Sequence, residues 1–393
     1  MREPTVKGDE LVAAARALAP LIRECRDEIE TGRRLPARLV AAMHQAQLFK
    51  LYVPAEFGGL EMDPVTPMRV VEAIAEEDGA TAWALMIGTT YGIWASYLAP
   101  EAAEEIFGAE DAVVAGALRP AGIARAVDGG FRVTGRWSFA SGIDHCAWWN
   151  GGARVYDGDG PRYDADGRPV TVLVFFPAAS GERIDTWETG GLRGTGSHDY
   201  AVDDLFIPAS CTIDFAAVPR SLGPLYRLPR QALLDNAMAV IPLGLARGAI
   251  DALIGIAGAA RPTASLSPTQ LADRLTIQHE VGRAEAEYRA ARAFLYQTVE
   301  QSWAAAQEGR ELSTADLAVL RLARTHATHA AVTAVDLMYS AAGGAAVYAR
   351  NRLERMFRDI HTVTQHASMA RANYEVSGRI LLGLAPDRAL NRL

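Results

Sequence analysis

The feature that most constrains this chain is a change in the spacing of its apolar residues. Between about Asp111 and Phe215 they alternate in short runs, while on both sides they recur at three- and four-residue intervals. The run "ARAVDGGFRVTGRWSFAS" alternates across an Asp-Gly-Gly turn and predicts a hairpin. "CAWWNGGARVY", "VTVLVFFP" and "DYAVDDLFIP" read as further strands set off by Gly, Pro and Asp. That many short strands in roughly 100 residues predict a small barrel or sandwich.

The flanks predict helices. "DELVAAARALAPLIRECRDEIE" reads as one amphipathic helix, and a second starts at Pro36, where proline suits a first turn. A third spans about Pro64 to Glu77, and "TAWALMIGTTYGIWASYLA" is apolar all round, as a buried helix is. From about Leu228 onward four long amphipathic segments predict a four-helix bundle, with Ser313 at the N-cap of one of them. The expected fold is therefore α+β and multidomain: an N-terminal helical domain (1–110), a central β-barrel or sandwich (111–216) and a C-terminal four-helix bundle (217–393).

Composition narrows the function classes. Half of the 393 residues are hydrophobic and 22% are charged, enough for a large core. A formal charge of −8 argues against nucleic acid or an anionic membrane as partner. No apolar run reaches the ~20 residues of a membrane span, and the first residues lack a secretory h-region. Cys25, Cys146 and Cys211 are scattered without a CxxC pair, which predicts a reduced, disulfide-free cytoplasmic protein.

The stretch "RMFRDIHTVTQHASMARANYEVSGRILLGL" reads as a single helix carrying His361 and His366. At ~100° per residue these two point roughly 140° apart, poor geometry for one metal ion. His326 and His329 are spaced i,i+3, but no carboxylate or cysteine converges on them in sequence, so they read as a solvated pair. No metal site is expected.

The three-part order, with "VPAEFGG", "GRWSFASG", "GLRGTGSHDYAVDDLFIP" and "AAGGAAVYARNRLERMFRD" in sequence, resembles the acyl-CoA dehydrogenase superfamily over nearly the whole chain. Dehydrogenases of that superfamily need a carboxylate base shortly after the "RD" of the last helix. The matching residue here is Ala367, and the family's second position for that base falls near Leu234, beside Asp235. With "QHAS" and "FASG", the chain resembles instead the flavin-dependent monooxygenase branch. That resemblance implies the oxygenase component of a two-component enzyme, acting through a C4a-hydroperoxyflavin on an aromatic or polycyclic small molecule. Reduced FAD or FMN, bound dissociably, and O₂ are the implied cofactors.

By resemblance, His366 and Ser141 are the catalytic candidates. His366 would donate a proton or deprotonate substrate, since imidazole titrates near ~6.5, and Ser141 would meet flavin N5. Trp137 and Phe139 would wall the ring, and strand alternation predicts that Trp137, Phe139 and Ser141 share one side. Arg261 and Thr263 would hold flavin phosphates, and Gly343 and Gly344 would form the turn under the adenosine part. Trp83, Tyr91 and Trp94 are candidates for the substrate pocket. Trp83 and Trp94, eleven residues apart, are predicted to share a helix face. Arg193, Thr195 and Ser197 would line the same cavity. No GxGxxG follows a strand, so a separate flavin reductase is the expected partner. The resemblance also implies a homo-oligomer, with a tetramer as the expected state. An acyl-CoA dehydrogenase or oxidase with another base stays open as the alternative, as does a flavin-free scaffold.

Overall fold

The computed structural model describes residues 8–258 and 270–385. The chain forms two compact units that cut across the sequence blocks. The first comprises residues up to Met62, Ala84–Thr189 and Arg193–Tyr226; the second comprises Asp63–Trp83, Gly190–Leu192 and everything from Arg227.

The N-terminal helices are α1 (Gly8–Ala17), α2 (Ala19–Gly32), α3 (Ala37–Gln45), α4 (Val65–Ala75), α5 (Gly79–Tyr91) and α6 (Pro100–Phe107). The single helix expected across Leu18 is two, because Pro20 in the first turn of α2 removes a donor that a continuous helix would need. Pro36 precedes α3 as expected. Helix α4 begins where the Asp63 carboxylate accepts the N–H groups of Val65 (2.8 Å) and Thr66 (3.0 Å).

Eight strands follow: β1 (Val114–Val127), β2 (Gly130–Ala140), β3 (Trp148–Asp157), β4 (Gly160–Pro161), β5 (Thr171–Pro177), β6 (Glu182–Ile184), β7 (His198–Pro208) and β8 (Thr212–Asp214). They make one hydrogen-bonded path, β6-β7-β2-β1-β3-β5-β8, with β4 on β3. The sheet is mixed, since β1 and β3 run parallel, and the path joins the strands as one sheet rather than the two of a sandwich. The predicted hairpin is β1–β2, with Gly129 at φ 78° supplying the left-handed turn residue.

Trp137 is the centre of this unit's core. Its ring stacks on Tyr200 at 5.2 Å, and its indole N–H donates to the Gly152 carbonyl at 2.7 Å. A Cβ at Gly122, Gly135 or Gly151 would come within 2.8 Å of that ring, so three strands leave room for it by carrying glycine.

In the second unit α7 (Arg230–Gly258), α8 (Leu275–Gln307) and α9 (Thr314–Ala342) are the long helices, with α4 packed on α7. Ser313 caps α9 in a capping box with Asp316. By length and composition α7 could cross a membrane, contrary to the expectation from sequence, but 67% of its most apolar stretch is buried, as in a core helix.

The fourth bundle helix is broken. It is α10 (Arg352–Val363), a 3-10 turn at Ala367–Met369, and α11 (Ala372–Leu381). Side chains compete for the backbone here. Thr364 Oγ1 donates to the His361 carbonyl, His366 Nδ1 accepts from Ser368, and Asn373 donates to the carbonyls of Ala367 and Ala370.

Candidate active site

Strand β2 loses register with β7 between Trp137 and Ala140. Phe139 sits in that irregularity at φ 67°, a conformation costing an L-residue about 1–2 kcal/mol. The predicted common side for Trp137, Phe139 and Ser141 is therefore not formed. Trp137 is 1% exposed inside the sheet's core, whereas Phe139 is 71% exposed. Trp137 supports the site from behind rather than walling it.

Phe139 meets the edge of Trp187, ring centroids 6.2 Å apart. The Trp187 backbone is pinned: its N–H donates to His198 Nδ1 (3.2 Å), and its carbonyl accepts from Arg33 (3.1 Å). Arg33 in turn grips Asp185 through two bonds of 2.8 and 2.7 Å. Sequence reading missed Trp187, because nothing in "IDTWETGG" signals that its neighbour in space is forty-eight residues upstream.

Ser141 begins a buried row of hydroxyls. Its Oγ lies 2.7 Å from Ser197 Oγ, which lies 2.7 Å from Thr195 Oγ1. The Gly142 N–H donates to the Thr195 carbonyl at 2.8 Å and ties the two backbones together. Thr195 and Ser197 thus back Ser141 instead of lining a cavity. Arg193 is also occupied structurally, donating to the carbonyls of Glu30 (3.2 Å) and Thr189 (2.9 Å). An outward aromatic face beside a hydroxyl held by buried partners fits a flat ring with a polar edge, as a flavin is.

Tyr91 and Trp94 are core residues. The Tyr91 hydroxyl donates to the Gly116 carbonyl (3.2 Å), and Trp94 packs on Tyr97 and Phe215. Helix α5 ends at Tyr91, so Trp94 stands in a 3-10 turn and shares no helix face with Trp83. Trp83 belongs to the second unit, with its ring 5.7 Å from that of His366 in an edge-on contact.

His366 is not on a helix; it caps the 3-10 turn at φ −72°, ψ 136°. Its Nδ1 accepts the Ser368 N–H at 3.2 Å, so the neutral ring carries its proton on Nε2. Burial pushes its pKa below the ordinary imidazole value, opposed by the charge of Asp235. At neutral pH His366 is a hydrogen-bond donor through Nε2, and this tautomer favours donation over the abstraction of a substrate proton.

The carboxylate nearest the family's second base position is tied up. Asp235 is buried and accepts from Arg324 (3.0 Å) and Gln231 (2.9 Å). His329, expected as half of a solvated pair, is instead engaged within the fold, its Nε2 3.1 Å from the Met369 carbonyl. Among the described residues no group of three or more His, Cys, Asp and Glu is placed to hold a metal. At the end of α9, Gly343 has φ 57°, and a Cβ at Gly343 or Gly344 would meet open space, so this turn presents bare backbone. Arg261 and Thr263 lie outside the described residues.

The family descriptions "Acyl-CoA dehydrogenase, N-terminal domain" and "Acyl-CoA dehydrogenase, C-terminal domain" match residues 12–105 and 237–371. An indole-3-acetate monooxygenase of Pseudomonas putida is 32% identical over 95% of this chain and 95% of its own. This chain belongs to the flavin-dependent monooxygenases of the acyl-CoA dehydrogenase superfamily. The oxygenase subunit HsaA of a flavin-dependent monooxygenase from Rhodococcus jostii is 29% identical, covering 90% of this chain and 92% of its own. The structure of XiaF from Streptomyces, in complex with FADH2 and glycerol, superposes with a TM-score of 0.88 at 30% identity over 96% of both chains. Membership in this monooxygenase branch agrees with a histidine beside Ala367 and with an Asp235 already paired.

Proposed function

We propose that this chain is the oxygenase component of a two-component monooxygenase that hydroxylates an aromatic or polycyclic small molecule through a C4a-hydroperoxyflavin. The observation that carries this reading is His366, a half-buried neutral imidazole with its proton on Nε2, standing next to Ala367, the residue at the dehydrogenase base position. Relatives named for indole-3-acetate and as an oxygenase subunit support an aromatic substrate and a separate reductase. The relative bound to FADH2 favours reduced FAD over FMN.

Reduced flavin, when bound, supplies the electrons that activate O₂. The chain's own residues do the rest. Phe139 offers an apolar face to the ring, and Ser141 holds a polar edge. His366 donates from Nε2 to an oxygen atom, with the Trp83 indole shielding its ring from water. A homotetrameric, cytoplasmic enzyme is part of the same reading; exposed Tyr348 and Leu382 on the second unit supply apolar surface for assembly.

The test is to mix the protein with anaerobically reduced FAD, add O₂, and follow absorbance at the violet end of the visible range with and without phenols and indoles. A transient band, and hydroxylated product without NADH, is the expected result. Thioester-dependent reduction of a dye, or robust NADH oxidation by the chain alone, contradicts the reading.

A further inference from the structure

The β6–β7 ladder stops at the Ile184–Asp199 pair. Beyond it the chain still carries backbone N–H groups that need acceptors. One side chain meets two of them: His198 Nδ1 accepts from Thr186 and from Trp187, each at 3.2 Å. Asp185 Oδ1 lies 3.4 Å from the same nitrogen but is held by Arg33. With Nδ1 as acceptor, the ring carries its proton on Nε2. His198 is wholly buried, and burial lowers its pKa, which keeps the imidazole neutral. Its backbone is registered with Ala140, the residue after Phe139. His198 therefore fixes two neighbours, strand β2 at Phe139 through its backbone and the Trp187 segment through its side chain. Phe139 and Trp187 lie on the same unit with ring planes 86° apart. Two aromatic walls at a right angle make a corner.

We propose that Trp187 is the second wall of the flavin site and that His198 is the positioning residue that sets it. This rests on the reading of Phe139 as the apolar face offered to the flavin. The ligand class is a flat, fused aromatic ring system, the isoalloxazine of reduced flavin. Aromatic rings favour offset and edge-to-face contacts over a direct sandwich. A corner supplies both, one wall to the face of the ring and the other to its rim. The Trp187 segment has no ladder of its own beyond Ile184, so its place depends on bonds from its neighbours. His198 holds its N–H side, and Arg33 holds the Trp187 carbonyl at 3.1 Å. His198 acts through Trp187 and touches no ligand itself.

The experiment follows binding of reduced FAD by anaerobic equilibrium dialysis, with near-ultraviolet circular dichroism to check folding. Trp187→Ala should weaken binding about tenfold, in keeping with the loss of one aromatic wall, and Trp187→Phe should recover most of it. His198→Leu keeps Trp187 but removes the acceptor, and should weaken binding to a similar extent. His198→Asn should restore it, because an amide oxygen then stands where Nδ1 stood. Trp187→Ala and His198→Leu together should weaken binding no more than either alone, since one acts through the other. If His198→Leu does not fold, His198→Gln is the second variant. Its amide lies one bond further out, misses the two N–H groups, and should bind as weakly. Unchanged affinity in Trp187→Ala, equal affinity in His198 variants with and without the acceptor, or additive losses in the double variant overturns the proposal. Phe139→Ala separates the two layers. If it too leaves affinity unchanged, the placement of the flavin at Phe139 fails. If it weakens binding while Trp187→Ala does not, the second wall alone fails.

Discussion

Arg324 donates to the Asp235 carboxylate from 3.0 Å, and both side chains are buried. A buried pair costs little as a pair and much when broken, because the survivor keeps its charge without compensation. Asp235→Ala should therefore destabilise the protein by about 3–5 kcal/mol, measured by urea unfolding. Adding Arg324→Met should recover a large part of that loss. If Asp235→Ala leaves stability unchanged but abolishes turnover, Asp235 is a free catalytic carboxylate and the dehydrogenase reading returns.

His366→Ala removes the Nε2 donor and leaves the bundle intact. Product formed per reduced flavin should fall by roughly two orders of magnitude, a usual loss for an acid–base residue, with hydrogen peroxide rising in its place. His366→Gln keeps a donor and should retain part of the coupling. His361 faces Asp336 at 2.9 Å near the surface, so His361→Ala should change coupling little and stability by less than about 1 kcal/mol. Product and peroxide assays of all three variants decide between the two histidines.

Phe139 is largely solvent-exposed in a strained conformation, so its side chain does little for the fold. Phe139→Ala should leave the melting temperature within a degree or two, while affinity for flavin falls about tenfold, in keeping with the loss of one aromatic face. Trp137→Ala should do the reverse and unfold the first unit, at a cost of about 3–5 kcal/mol. Equal effects of the two substitutions on flavin binding and stability would contradict the division of roles.

Stability should fall in mild acid. Burial holds the His145 pKa down at about 4, with the nearby His44 adding to the effect. Its Nε2 meets no hydrogen-bond partner among the described residues. Below an unfolded value near ~6.5 the unfolded chain takes up a proton that the folded chain refuses until about pH 4. The loss is thus absent above that unfolded value and grows as pH falls, to the order of 3 kcal/mol. Buried His198 and half-buried His44, His329 and His366 are shifted in the same direction. Thermal unfolding between pH 7 and pH 4 should show this slope, and His145→Phe should flatten it.

The β1–β2 hairpin, the Ser313 cap and the order of helical and strand segments were legible in sequence because each is set by local spacing or turn chemistry. The break after Val363 was not. Apolar periodicity continues through it, and what ends the helix is a contest between side chains and backbone at Thr364, His366 and Asn373. The inward Trp137 and outward Phe139 were misread for a related reason: alternation holds only while register holds, and it slips just there. Thr195 and Ser197 were expected to line a cavity, but their motif says nothing about whether a hydroxyl faces a ligand or another hydroxyl, and here each faces another hydroxyl.

Glu72 on α4 is held by Arg292 (2.8 and 2.9 Å), Tyr288 and Tyr296, all on α8 and 216 to 224 residues later in the chain. A ribosome adding about 5–20 residues per second takes roughly 10–45 s to deliver those partners. Until α7 and then α8 are made, the emerging chain carries on α4 an apolar face and a carboxylate without their partners. The first unit cannot be released as a finished module either, since the chain leaves it at Asp63 and again at Gly190 before completing it at Tyr226. Synthesis of this protein is therefore a long wait with open surfaces. Its yield in a foreign host should depend on chaperone supply and translation speed more than on the stability of the final fold.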